Sequence, residues 1–279
     1  MGIRKRLYRG RVYCTYMLHG TTSGRLSSRN PNLQNITRDK AIRRQFIPAS
    51  PDNVLMQCDY KNVEARVMTT MAQDEYLRKL LNNPDPDYKF FNELSDELYG
   101  AGKWDKEDYV RTKAFFYGIG YGREPYSIAI EFNMSVKEAE RRYNDFIGLI
   151  PGIVRWQRET RRKVLAGEDL VTSFGRKRRF HLITEENQRD VLNEALSHLP
   201  QSTASDICLS ALIRLRPMLR GIGWIRLTLH DALVVETPRR NLVTCRDLMR
   251  SVMEEEGTKY TDYVRFPVDF TVGNNWGEL

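Results

Sequence analysis

The sequence predicts an α+β chain, and three observations carry that reading. A short apolar run, Val54 to Met56, passes through Cys58 to Asp59, after which Asn62, Val63, Val67, Met68 and Met71 take up a helical rhythm. Far downstream, Ile225, Leu227 and Leu229 alternate before His230-Asp231, and the chain turns into Leu233 to Glu236, the pattern of a hairpin. Between and beyond these strands run several stretches of helical periodicity with recognisable start and stop signals. Each strand delivers an aspartate at its end. A carboxylate there is costly to desolvate unless it is paired or binds a cation. Alone, either Asp reads more readily as a helix cap or turn residue than as a ligand; two strands that each deliver one could together hold a divalent metal.

The chain has 279 residues, 41% of them hydrophobic, enough to bury a substantial core in one domain or two closely packed lobes. Lysines and arginines outnumber acids 44 to 36, for a formal net charge of +8, which favours a polyanionic partner. Cys14, Cys58, Cys208 and Cys245 are widely separated and form no CxxC pair, which argues against a zinc site or a disulfide framework and for a reducing, cytoplasmic setting. No apolar run is long enough to span a membrane, and MGIRKRLYRG lacks the apolar core of a signal peptide.

In order, Met1 to Gly20 is basic with interspersed aromatics and reads as an extended strand or arm. Residues 19–36, HGTTSGRLSSRNPNLQNI, form a polar loop in which Arg25, Asn32, Gln34 and Asn35 are a dense set of donors. One helix is expected from about Asn62 to Leu81 and another from about Asp87 to Tyr99. In a third, from Lys106 to Ile119, Lys113, Tyr117 and Tyr121 recur every four residues on one slowly drifting face. Gly118, Gly120 and Gly122 let another body approach it closely. Ser135 and Glu138 suggest a capping box, and Pro151 opens the next helix. Leu170 to Phe180 reads as a hairpin around Gly175 carrying the basic run Arg176 to Arg179, which is either a solvated charge run or a phosphate contact. A long helix from about Glu185 to Leu215, kinked at Pro200, precedes the second Asp hairpin. An amphipathic helix with Leu242, Cys245 and Met249 and a last strand with Val268 and Phe270 close the chain.

Six blocks, TTSGRLSSRNPNLQNI (21–36), DYKNVEAR (59–66), KAFFYGIGYG (113–122), LPQSTASDI (199–207), LHDALVVE (229–236) and VGNNWGEL (272–279), together resemble the C-terminal polymerase core of the family A DNA polymerases in order and spacing. The resemblance implies a right-hand architecture. An N-terminal arm and first palm segment would occupy residues 1–73, helical fingers 74–183, and a second palm segment 184–279, with an antiparallel sheet bearing both aspartates. It implies that Asp59, Asp231 and the Tyr60 carbonyl ligate two magnesium ions, which manganese can replace. Lys113 would contact the triphosphate, with Tyr117, Tyr121 and Arg111 lining the nucleotide site, and Glu64 would exclude a ribose 2'-hydroxyl. Arg25, Asn32, Gln34, Asn35, Gln201 and His230, with Arg176 and Arg178, would hold DNA. The implied substrates are dNTPs and primer-template.

Three departures from the family pattern stand out. Ala232 occupies the position of an acid, Tyr109 that of a phosphate-binding Arg, and only about 20 residues precede Thr21, where relatives carry a thumb and often an exonuclease. Together with Met1, this suggests one subunit of a split polymerase, from a bacterium, a phage or an organelle, whose partner supplies the thumb and any exonuclease; a truncated chain would have the same sequence. The alternative is a non-catalytic nucleic-acid-binding or assembly subunit that keeps the fold. A single-subunit RNA polymerase is a third reading, against which Glu64 argues.

Overall fold

The computed structural model describes residues 3–85 and 87–279; Met1, Gly2, Pro86 and the side chain of Arg4 lie outside the described residues, and with Met1 part of the split-subunit expectation. The first elements are β1 (Leu7–Tyr8), β2 (Arg11–Val12), β3 (Thr15–Met17), β4 (Ser27–Arg29), α1 (Lys40–Arg43) and β5 (Asn53–Tyr60). There follow α2 (Val63–Ala72), α3 (Glu75–Leu81), α4 (Phe90–Tyr99), α5 (Lys106–Gly120), α6 (Pro125–Glu131), α7 (Val136–Leu149) and α8 (Pro151–Leu165). The remainder is β6 (Leu170–Val171), β7 (Lys177–Arg178), α9 (Gln188–Met218), β8 (Trp224–Leu229), β9 (Ala232–Pro238), α10 (Leu242–Tyr260) and β10 (Val268–Gly273). Two compact units result: Met1–Val63, Gln201–Tyr260 and Phe266–Leu279 form one, and Glu64–Pro200 with Thr261–Arg265 form the other.

The first unit is built on a four-stranded sheet of order β10-β5-β9-β8, antiparallel throughout. The apolar run of β5 is explained by its central position: Val54, Leu55, Met56 and Cys58 are all buried, although they point alternately to opposite faces. α10 packs on β5 and β9 through buried Cys245, Met249, Val252 and Met253, and the Tyr60 hydroxyl donates to the Met253 carbonyl at 2.6 Å. The edge strand β8 is covered by side chains. Thr228 N–H donates to the Tyr16 hydroxyl at 3.1 Å, and its carbonyl accepts from Tyr16 and Gln34, each at 3.2 Å. After a 3-10 turn at Ile3–Arg6 the basic N-terminal arm is extended, as expected, but in hairpins: β1 pairs with β2, and β3 with β4 of the polar loop that follows.

The second unit is helical around a core of edge-to-face rings, with Phe90, Phe91 and Phe116 in mutual contact and Phe146 against Phe115 and Phe116. The single helix expected over 62–81 is two. Gln73 takes a left-handed φ of 49°, and Asp74 caps α3 by accepting from Leu77 N–H at 3.1 Å. Its second oxygen accepts from Gly152 N–H at 2.8 Å, a partner 78 residues away that no local pattern reveals. The capping box at α7 is half formed: Ser135 accepts from Glu138 N–H, while the Glu138 carboxylate turns to Arg141 and Arg142. Pro151 opens α8 as expected, and α9 runs through Pro200 without interruption. A Cβ on Gly120 would lie 2.8 Å from Met68 Sδ, so the expected close approach to α5 is made by α2. Among the described residues, no helix is long and apolar enough to cross a membrane.

One buried acid ties the first unit together. Glu236, 2% exposed on β9, accepts from Ala49 N–H at 2.8 Å, Asn53 Nδ2 at 2.6 Å and Arg226 Nε at 2.8 Å. Burial works to raise its pKa, but the donors from Asn53 and Ala49 and the Arg226 charge outweigh it and hold the carboxyl below its usual range. A depressed folded pKa contributes stability above the unfolded value of about 4.3, lost as pH falls through the folded value. Glu236→Gln is expected to destabilise the chain by about 1–3 kcal/mol at pH 7 and to flatten the acid limb of a urea-unfolding series. An unchanged pH profile would remove this acid from the account.

Candidate functional site

In the first unit, the sheet register brings the two aspartates together. Asp59, the penultimate residue of β5, lies opposite Ala232 on one side and Asp269 on the other. Asp231 immediately precedes Ala232 in the two-residue turn between paired Leu229 and Ala232, and His230 takes a left-handed φ of 57° to make that turn. The Asp59 carboxylate reaches solvent, yet the sheet around it excludes enough water to raise its pKa. Burial first, then the negative charges of Asp231 and Asp269, push it up to about 6.

Positive charge is supplied locally. Arg25 Nη2 lies 3.4 Å from Asp231 Oδ2, and Lys61 Nζ lies 2.9 Å from Asp269 Oδ1. Arg25 is placed by the Thr21–Arg25 turn, whose Ser23 carbonyl accepts from buried Ser202 of α9 at 2.8 Å. Behind the carboxylates, the fully buried Cys208 thiol has its pKa raised by burial and by the charges of Asp231 and Asp59.

The donor set suits a hard cation: two carboxylates, one made electrostatically costly by its acidic neighbours, at a strand end where the Tyr60 main chain follows directly. Among the described residues no group of three or more His, Cys, Asp or Glu side chains encloses a metal on its own. Any ion held here therefore draws further ligands from the main chain, solvent or substrate.

Of the other residues singled out in this unit, His230 is exposed at the hairpin tip, and Gln201 is half-buried beside Ser202. Asn32 is exposed, and its Oδ1 accepts from Ser28 Oγ at 2.9 Å and Gln34 N–H at 3.1 Å, shaping the loop. Gln34 is bonded to the β8 edge, and Asn35 faces solvent. Asp269 escaped the sequence reading, because its partnership with Asp59 is a cross-strand register, and local alternation gives only its face.

In the second unit, α5 presents Lys113, Tyr117 and Tyr121 on successive turns. The Tyr117 and Tyr121 rings stack at 6.1 Å with an interplanar angle of 27°, and the Tyr121 hydroxyl donates to Glu64 Oε2 in the first turn of α2. Lys113 Nζ lies 4.6 Å from the Tyr109 ring centroid and 5.2 Å from that of Phe91. Beside this face, an open cavity of about 650 Å³ is lined by Tyr117 from α5, Tyr121 at its C-cap, and Asn193 and Ser197 from α9. Arg111 lies elsewhere on α5, ion-paired with Glu107 at 2.6 Å and Asp108 at 3.5 Å. In the β6–β7 hairpin, Arg178 pairs with Glu194 and stacks on Phe180, and Arg179 pairs with Asp169, so part of that basic run is neutralised; Arg176 is half-buried next to them.

The family model for DNA polymerase family A matches residues 3–278. DNA polymerase I of Streptococcus pneumoniae strain R6 is 29% identical over 263 residues, covering 88% of this chain and 29% of that protein. DNA polymerase theta of Caenorhabditis elegans is 29% identical over 280 residues, covering 97% of this chain and 16% of that protein. The chain therefore spans less than a third of the length of these relatives. The POL domain of Pol1 from M. smegmatis, solved in complex with DNA primer-template and dNTP, aligns with a TM-score of 0.91 at 24% identity, over 99% of this chain and 50% of that one. This likeness establishes the fold.

Proposed function

This chain belongs to DNA polymerase family A, and on that premise we propose that it is a template-directed DNA polymerase core, transferring deoxynucleotides from dNTPs to a primer 3'-hydroxyl. The observation that carries the reading is the carboxylate pair: Asp59 and Asp231 are held together by strand register although their charges oppose each other. Asp59, Asp231 and the Tyr60 carbonyl would hold two magnesium ions, which supply Lewis-acid activation of the hydroxyl and neutralise charge at the triphosphate.

The rest falls to the chain's own side chains. Lys113 binds triphosphate oxygens and gives a proton to the departing pyrophosphate. Tyr117 packs on the incoming sugar and base, and Tyr121 borders the nascent pair. Glu64, anchored by the Tyr121 hydroxyl, fills the space that a 2'-hydroxyl would need. Arg25, Gln201 and His230 steady the primer terminus and template, and the amide loop of Asn32, Gln34 and Asn35 grips the duplex. Phosphate contacts of this kind hold DNA without reading its sequence, as an enzyme that copies every template requires.

Asp59→Asn and Asp231→Asn are each expected to lower primer extension by at least about a hundredfold, near 2.7 kcal/mol in the barrier, with duplex binding retained. Extension at the parental rate by either variant would remove the carboxylates from the chemistry and favour a non-catalytic binding role.

Glu64→Ala should raise the use of ribonucleoside triphosphates relative to dNTPs, and Tyr121→Phe, which takes one hydrogen bond from the Glu64 carboxylate without removing the acid, should do so to a smaller degree. Competition assays with both sugars check this, and equal discrimination by all three proteins would rule out the sugar-filling role.

A further inference from the structure

Lys113 is held by rings and not by an acid. No carboxylate among the described residues pairs with it: Glu107 and Asp108 are taken by Arg111, and Asp105 caps the N-terminus of α5. Its ammonium instead sits over Tyr109 and Phe91. These rings are themselves fixed. Tyr109 stacks on Trp104 at 6.2 Å and meets Phe91 nearly at right angles at 6.3 Å. Trp104 Nε1 donates to Asp96 Oδ1 at 2.7 Å, and Phe91 is 2% exposed in the helical core.

We propose that Tyr109 is a positioning residue for Lys113, holding the ammonium by its ring face for the phosphates of an incoming nucleotide. The choice of an aromatic partner has a chemical consequence. A carboxylate would neutralise the lysine and compete strongly with phosphate for its three N–H donors, whereas a π face attracts the cation and leaves its charge in place. The i, i+4 spacing of Tyr109 and Lys113 on α5 brings ring and ammonium onto one face. Where the sequence pattern leads one to expect a second cation, this chain therefore has a group that orients the remaining one. The proposal rests on Lys113 being a phosphate contact.

The test measures inorganic tripolyphosphate affinity and the KM for dNTP in primer extension for the full chain and its Tyr109→Phe, Tyr109→Leu, Lys113→Ala and Tyr109→Leu/Lys113→Ala variants. Tyr109→Phe keeps the ring and should match the parent. Tyr109→Leu should weaken tripolyphosphate binding and raise KM by about threefold to tenfold, with little change in kcat. In the Lys113→Ala background, the same substitution should have no further effect. Equal losses with and without Lys113, or a Phe variant as weak as Leu, would overturn the proposal.

If Lys113→Ala binds tripolyphosphate like the parent, the phosphate role of Lys113 itself falls. If Lys113→Ala weakens binding and Tyr109→Leu does not, only the role of Tyr109 falls. Should Tyr109→Leu fail to fold, progressively fluorinated phenylalanines at position 109 withdraw charge from the ring face at nearly constant shape. Stepwise loss of affinity across that series is expected, and a flat series would overturn the proposal.

Discussion

The register of β5 against β9 is the constraint on which the first unit depends. Side chains alternate along a strand, so Leu55, Gln57 and Asp59 share one face while Val54, Met56, Cys58 and Tyr60 share the other. A slip of one residue would send Asp59 to the face that now carries Cys58 and drive the buried set outward. Burial of Val54, Met56, Cys58 and Tyr60 makes that slip costly. The turn fixes the second acid in the same way. With Leu229 paired to Ala232, only His230 and Asp231 are left to reverse the chain, and His230 accepts a left-handed backbone that costs on the order of 1–3 kcal/mol for a residue with a Cβ. The strain is localised beside the carboxylate whose position it determines.

In the second unit the equivalent role falls to the face of α5. Tyr117 and Tyr121 stack on one another and Tyr117 meets Phe91 at a tilt, so the orientation of the pair is set by the ring core below. Glu64 is held from that face by the Tyr121 hydroxyl. Glycine at 120 matters for the same packing: Met68 of α2, one turn beyond Glu64, comes so near that a Cβ there would overlap its sulfur. Orientation of a polar side chain here is bought by apolar packing, and it is lost with that packing.

The sequence carried these features unequally. A buried strand ending in Asp59, a hairpin turning at His230-Asp231 and a four-residue repeat on α5 are local patterns, and the structure has all three. What local pattern could not supply are facts of long-range contact. The break between α2 and α3 depends on Asp74 reaching Gly152, whereas the half-formed capping box of Glu138 has a local cause, the competition of Arg141 and Arg142 on its own helix. The basic N-terminal arm folds into hairpins too short to show alternation, and Gln34 and Tyr16 are drawn to Thr228, roughly two hundred residues on. Asp269 meets Asp59 only because β10 adds to the sheet on the far side from β9.

That last contact bears on the absence of an acid at position 232. Ala232 is 3% exposed and lies directly opposite Asp59, so a carboxylate there would be desolvated on a central strand within cross-strand reach of another. Asp59 already holds its proton more tightly than an ordinary aspartate because of burial and because of Asp231 and Asp269. The cations paired with these neighbours are Arg25 for Asp231 and Lys61 for Asp269. A further negative charge would raise the Asp59 pKa again. With alanine at 232 and Asp269 on the opposite strand, the acidic neighbour of Asp59 sits at the more exposed edge of the sheet, where water and Lys61 offset its charge.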